Sequence, residues 1–478
     1  MPIPPLFDQG NTLGCHHHDM KNHFNNDPAR AQLTGFINKI SAMPKPSAPL
    51  CRFQAHLNEL LSVRDGNAYH ADHCRRAAAL GAPSREEAEL CRNMLTYLET
   101  VPDWYRESDV LRRILGEIEN DQRHTGATGP KARVIAFYLP QYHPIPENDK
   151  WWGKGFTEWT NVGKAKPLYR GHEQPQLPAE LGYYDLRVPE TRSAQAELAR
   201  TYGIEAFCYW HYWFAGHRLL ERPFTDVVKS GEPDFPFCLG WANQTWSGIW
   251  HGAPDKILIE QTYPGLADYK AHFDALLPAF TDKRYLKVNG KLVFLIYSPQ
   301  SIPNPFLFTE YWQQLAESEG LPGFHFIAHM SRTPENFGCQ SCVDNAPFYD
   351  MNAPLLGVEP VSADGVPRVV AYGELVKYLE RYQLAPQEHP LVFPNWDNTP
   401  RSGKNGIVLQ GSTPEQFEAM MNNAVRKAGV KSDPDQRLVF IKAWNEWAEG
   451  NHLEPDVLHG HRYLEAVRNS VYGTSVLQ

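Results

Sequence analysis

Val134-Ile135-Ala136-Phe137-Tyr138-Leu139-Pro140 runs straight into Gln141-Tyr142-His143, apolar where it starts and polar or aromatic where it ends. Seven later runs share that layout: Ala206–Trp213, Phe235–Asn243, Leu292–Pro299, Phe324–Met330, Val343–Asp350, Leu391–Asn398 and Leu438–Trp447. Such runs read as parallel strands buried on both faces, not as half-exposed antiparallel ones. Helical patterns lie among them near 188–203, 267–281, 308–319, 371–383 and 414–428, with another at 460–471. Eight strands alternating with helices is the count of a (β/α)8 TIM barrel, an α/β fold. The rival open doubly wound sheet calls for a glycine-rich phosphate loop after the first strand, and the sequence has none there.

Upstream the texture changes. Residues 1–130 have almost no β-branched runs and read as short amphipathic helices near 29–43, 51–64, 68–80, 84–100 and 107–122. Ser84-Arg85-Glu86-Glu87 is a capping box ahead of Leu90, Met94 and Leu98, which share a helical face. The small, polar stretch from Arg123 to Pro130 reads as a linker. The expected organisation is an all-helical extension over 1–130 and a catalytic barrel over 131–478, which suits a chain of 478 residues.

Composition narrows the function. With 46 Lys and Arg against 55 Asp and Glu, the formal charge is −9, which argues against a nucleic-acid binder. No apolar run is long enough to span a bilayer. The N-terminus lacks a basic region followed by an apolar one, so a cytoplasmic location is expected. Eight cysteines do not make a disulfide framework, and Cys208 and Cys238, inside apolar runs, read as reduced core residues. Cys15-His16-His17-His18-Asp19, His70 with His73 and Cys74, and Cys339 with Cys342 do not form a matched four-ligand set, so neither a metal nor another cofactor is expected. The aromatic content, 13 Trp, 22 Tyr and 23 Phe, is what stands out. Indole and phenol rings offer flat faces that suit the C–H faces of sugars, along with a polar handle.

The strand ends carry the polar and aromatic groups, and in a barrel those ends share the face that holds active sites. Tyr142 and His143 follow the first run. Tyr209, His211 and Trp213 close the second, and Trp241, Asn243 and Trp246 the third. Tyr297 ends the fourth, Trp396 and Asp397 the seventh, and Trp444, Asn445 and Trp447 the eighth. His329, ending the fifth, reads equally well as a structural histidine. The long insertion Asp149-Lys150-Trp151-Trp152-Gly153-Lys154-Gly155-Phe156-Thr157-Glu158-Trp159 reads as a cleft wall, with Trp152, Glu158 and Trp159 as sugar contacts. Glu260 is a further polar contact. A gathering of rings beside Asn, Asp and Glu points to an oligosaccharide or polysaccharide site more readily than to a core.

Glu446 and Glu449 stand three residues apart at the end of the eighth run. Cleaving a glycosidic bond needs one group to protonate the leaving oxygen and another to act at the sugar carbon or its neighbour, and two carboxylates with split pKa values can divide that work. If residues 446–449 turn as a helical loop, both acids face one side. Glu454 and Asp456 read as a solvated loop.

Phe137–Pro144, Trp152–Trp159, Cys208–Trp213 and Trp444–Gly450 together resemble the WbsX-like family. That family is labelled glycosyltransferase but is similar to glycoside hydrolase family 99, the endo-α-mannosidases and endo-α-mannanases. The resemblance covers about residues 131–472. It implies a (β/α)8 barrel and retaining hydrolysis of a bacterial polysaccharide, such as O-antigen or capsule, without metal. Glu446 would be the base on the sugar 2-hydroxyl, giving a 1,2-anhydro intermediate, and Glu449 the acid and then the base. Gln244 stands where the family often shows an acid, which bears on one sugar contact. Two other readings stay open: a glycosyltransferase in surface polysaccharide biosynthesis, against which the lack of a glycine-rich phosphate loop counts, and a non-catalytic sugar-binding protein. The sequence names no protein partner.

Overall fold

The computed structural model describes residues 28–43, 50, 54, 85–98, 130–248, 253–344, 348 and 351–473. The chain divides into two compact units, 1–129 and 130–478. In the first, helices span Pro28–Ala42 and Arg85–Leu98. The helices read near 51–64, 68–80 and 107–122 lie outside the described residues, Gln54 apart, as does the linker short of Pro130.

The second unit is a barrel. Its strands are β1 (Arg133–Tyr138), β2 (Ala206–Phe214), β3 (Phe237–Trp241), β4 (Lys291–Ile296), β5 (Phe324–His329), β6 (Ser341–Val343), β7 (Leu391–Val392) and β8 (Leu438–Ile441). Each pairs in parallel with its neighbour in sequence from β1 to β6, β7 pairs with β8, and β8 pairs with β1. The remaining seam, β6 to β7, is closed by a single parallel bridge between Cys342 and Glu388. There the Cys342 N–H donates to Gln387 O at 3.0 Å and the His389 N–H to Cys342 O at 2.8 Å. Closure leaves no free edge, which is what lets such short strands persist.

Seven of the runs hold their strands, although β7 keeps only two residues; β6 mostly precedes its run, the two sharing only Val343. The crossovers are Pro189–Thr201, Arg222–Ser230, Leu266–Phe280, Pro305–Ser318, Tyr372–Arg381 and Pro414–Ala428, with Arg462–Tyr472 after β8. The sequence reading passes over Arg222–Ser230, a helix of only nine residues with Pro at its first turn and left-handed Gly231 as its cap. Between β5 and β6 a 3-10 turn, Pro334–Phe337, takes the helix's place.

Aromatic packing holds the barrel. Inside, Phe137 stacks on Trp210 at 4.8 Å between centroids and lies 5.6 Å from Phe440. Outside, Trp312 packs against Phe294 and Phe280, and its indole N–H donates to Tyr269 O at 3.0 Å. Cys208, Cys238, Cys339 and Cys342 are buried free thiols. No helix among the described residues is long and apolar enough to cross a membrane.

Candidate functional site

Past β8 the chain makes a tight return. Asn445–Glu446 pairs antiparallel with Asn451–His452 across the 3-10 turn Trp447–Glu449. Asn445 clamps the turn to β1: it accepts from Leu139 N at 2.7 Å and donates to Leu139 O at 3.0 Å. The Tyr142 hydroxyl donates to Asn445 O and receives the Trp447 N–H. Gly450 closes the turn at φ 56°, and a Cβ there would stand 2.9 Å from Asp397 Cβ, so both conformation and space require glycine. The turn therefore holds Glu446 and Glu449 rigidly over the mouth of the barrel.

Arg401 ties three carboxylates together. Its Nε donates to Glu158 Oε1 at 2.6 Å, Nη1 to Glu449 Oε1 at 2.6 Å and Nη2 to Glu446 Oε2 at 2.8 Å. The side chains of Glu158, Glu446 and Glu449 are 0%, 8% and 9% exposed. Charges so far from water persist only when paired and hydrogen-bonded. Each of the two turn acids gives Arg401 one oxygen. No described residue donates a hydrogen bond to its other oxygen. Burial pushes the Glu446 carboxyl up to about 7; Arg401 opposes the rise, while Glu449 and Glu158 add to it. Arg401 is set by Asp397, whose carboxylate caps the short helix Thr399–Ser402 through Thr399 N at 3.0 Å and Thr399 Oγ1 at 2.6 Å. Gln174 and His172 hold the other Asp397 oxygen.

Around these groups opens a cleft of about 1280 Å³, counting its solvent-open part. Trp152, Glu158, Trp246, Tyr297, Glu446 and Glu449, all singled out in the sequence, line it. So do Gln244 and several residues that reading did not select: Gln141, Asn161, Trp210, Tyr212, Lys442 and Arg401. Arg401 had no local signal, because it sits in Asn398-Thr399-Pro400-Arg401, remote in sequence from both acids.

The other residues singled out in the sequence lie elsewhere. Tyr209 packs on Tyr138 and Phe224, the His211 ring bonds His272 at 2.8 Å, and Trp213 stacks on His272 and donates to Asp268. Their β2 neighbours Trp210 and Tyr212 point into the cleft, as side chains alternate along a strand. Trp241, Trp396, Trp444 and Trp447 are buried core rings. Trp159 donates to Tyr184 O, and buried His143 contacts Pro140 O. Asn243 splints β3 to the end of β4 by donating to Ser298 O and accepting from Ser298 N, both at 2.8 Å. Tyr142, Asn445 and Asp397 brace the site as described above. Glu260 is exposed and is not among the residues that line the cleft. A core explanation of the strand-end aromatics, set aside in the sequence, thus holds for most of them.

Glu454 corrects the solvated-loop reading. It is 2% exposed and accepts from Trp447 Nε1 at 2.6 Å, Gln195 Nε2 at 2.5 Å and the Tyr184 hydroxyl at 2.8 Å. Burial raises its carboxyl from 4.5 to about 7, against the pull of those donors. A folded value above the unfolded one makes stability fully present below about 4.5 and progressively lost as pH rises through 7. Glu454→Gln, neutral throughout, should remove that dependence, which amounts to roughly 3 kcal/mol. Urea midpoints taken from pH 4.5 to 7.5 should fall less steeply for the variant than for the parent; equal slopes would refute the assignment.

A family model described as glycosyltransferase WbsX matches residues 134–467. The uncharacterized protein WxcX of Xanthomonas campestris pv. campestris strain ATCC 33913 is 39% identical over 349 residues, which are 71% of this chain and 50% of that protein. WxcX of strain B100 matches equally well. The chain thus spans about half the length of the curated relatives it matches. Among solved structures, a glycoside hydrolase-like protein is similar at 12% identity and a TM-score of 0.46, over 72% of this chain and 95% of that one. The family 99 endo-α-mannosidase of Bacteroides thetaiotaomicron is similar at 13% identity and a TM-score of 0.42, over 72% and 97%.

Proposed function

This chain belongs to the family described as glycosyltransferase WbsX, and we propose that it is a glycan-processing enzyme that hydrolyses glycosidic bonds with Glu446 and Glu449. The observation that carries the proposal is the convergence of both acids on Arg401 at the mouth of one cleft walled by Trp152, Trp246 and Tyr297. Two carboxylates with one oxygen each left for a ligand, beside flat rings, suit a sugar bound across the bond to be cut.

In the proposed reaction Glu446 takes the proton of the sugar 2-hydroxyl. O2 closes on C1 while the C1–O bond to the leaving group breaks, and Glu449 gives that oxygen its proton. Glu449 then takes a proton from water, which opens the 1,2-anhydro ring at C1, and Glu446 returns its proton to O2. Two displacements at C1 retain configuration. Arg401 stays charged throughout, held so by the three carboxylates. We propose a bacterial surface polysaccharide, such as O-antigen or capsule, as substrate, residues 131–478 as the catalytic barrel domain and residues 1–130 as a helical extension.

A base that titrates at about 7 is ionised above that pH and protonated below it. The value of kcat/KM should therefore fall about tenfold per unit as pH drops below 7. A profile flat from pH 5 to 8, read as released reducing ends, would remove Glu446 from the base role. Transfer from a nucleotide sugar is the second reading, favoured by the family's description. Isothermal titration with nucleotide sugars separates the two, since only a transferase needs to bind them.

A further inference from the structure

The charged residues lining the cleft are Glu158, Glu446, Glu449, Arg401 and Lys442. Arg401 accounts for all three acids. Lys442 is different. As a residue it is 6% exposed, and among the described residues its ammonium makes no hydrogen bond or ion pair; Nζ lies 5.3 Å from the Trp396 ring, and its charge also helps hold the Glu446 carboxyl down. An ammonium that faces a cleft with no acceptor of its own is placed to receive one from a ligand. A second donor lies under the same wall. His329 Nδ1 accepts the Met330 N–H at 2.7 Å, which puts the ring proton on Nε2, and that nitrogen is buried with no partner among the described residues. The ring packs on Tyr297 at 4.9 Å and Trp210 at 6.1 Å, both cleft residues. Burial and then Lys442 hold this imidazole well below its usual range, so it stays neutral and remains a donor. The polar lining groups Gln244, Thr245 and Ser247 carry no charge.

We infer that Lys442 receives an anionic group carried by the bound sugar, so that the cleft takes an acidic glycan. The inference rests on the cleft being a sugar site, as proposed above, and goes beyond it by naming the substrate's charge. The anion could be a carboxylate, as in a uronic acid, or a phosphate ester; both accept from an ammonium, and the test separates them.

The test is binding, independent of turnover. Quenching of the protein's tryptophan fluorescence is titrated with glucuronate, glucose 6-phosphate and glucose. Wild type should bind at least one of the two anionic sugars about tenfold or more tighter than glucose, and whichever it prefers identifies the group. In Lys442→Gln the ratio should collapse toward one, and in Lys442→Arg it should persist. Added salt should weaken the anionic sugar and not glucose. Thermal unfolding of each variant checks that it is folded. Equal binding of charged and neutral sugars by wild type, no measurable binding of either anionic sugar, or a ratio unchanged in folded Lys442→Gln would overturn the inference. Hydrolysis by Glu446 and Glu449 is read separately, from products, so the two proposals can fail independently.

Discussion

Glu446→Gln and Glu449→Gln should each cut turnover of a cleavable glycan about 10²–10⁴-fold while the protein still folds. Glutamine keeps the volume of the acid and an oxygen that can accept from Arg401, so the bonds at 2.8 and 2.6 Å have a replacement acceptor. What it loses is the ability to take or give a proton at that site. The deficit corresponds to about 3–5 kcal/mol of transition-state stabilisation. The expected signature falls on kcat more than on KM, because the missing interaction belongs to the transition state. Rates from reducing-end assays, with thermal unfolding as the control for folding, decide it. Folded variants that both turn over at wild-type rate would remove these acids from the chemistry.

Arg401→Met should be the most destabilising change in the site. It strips the shared cation from three carboxylates that are all under 10% exposed. Removing one partner of a buried ionic cluster costs about 3–5 kcal/mol, because what remains is an uncompensated buried charge. Arg401→Lys should recover part of this, since one ammonium cannot reproduce the forked geometry that reaches all three acids. The loss should depend on pH. Without the guanidinium the carboxyls shift upward in the folded state, so the variant should be least impaired in acid and increasingly so as pH rises. Urea midpoints at pH 5 and pH 8 provide the measurement. A variant with parental stability at both would mean that Arg401 is not what neutralises the cluster.

The strands were readable because each is an apolar run with an abrupt polar end, and closure into a barrel followed from their number and their alternation with helices. The pair Glu446 and Glu449 was readable from its place at the last strand end, where the tight turn seen here puts both acids on one guanidinium. Which aromatic at a strand end faces the cleft was not readable. On β2, Tyr209, His211 and Trp213 turn toward the helices while Trp210 and Tyr212 turn into the mouth. That parity is fixed by register, and a run aromatic at every position carries no trace of it. Arg401 and Lys442 escaped for a related reason. Each is an ordinary basic residue in sequence, and only the folding of β7 and β8 beside the insertion after β1 gives it acids or a cleft to face. Glu454 looked like loop charge until Trp447, Gln195 and Tyr184 were seen to converge on it from three segments.

Product analysis on a bacterial surface polysaccharide tests the central claim most directly, with wild type and Glu449→Gln run side by side, each with and without added nucleotide sugar. Shorter chains and new reducing ends from wild type alone, with no nucleotide sugar needed, are the predicted result. Chains that lengthen only when a nucleotide sugar is present, or identical products from the two proteins, would contradict it.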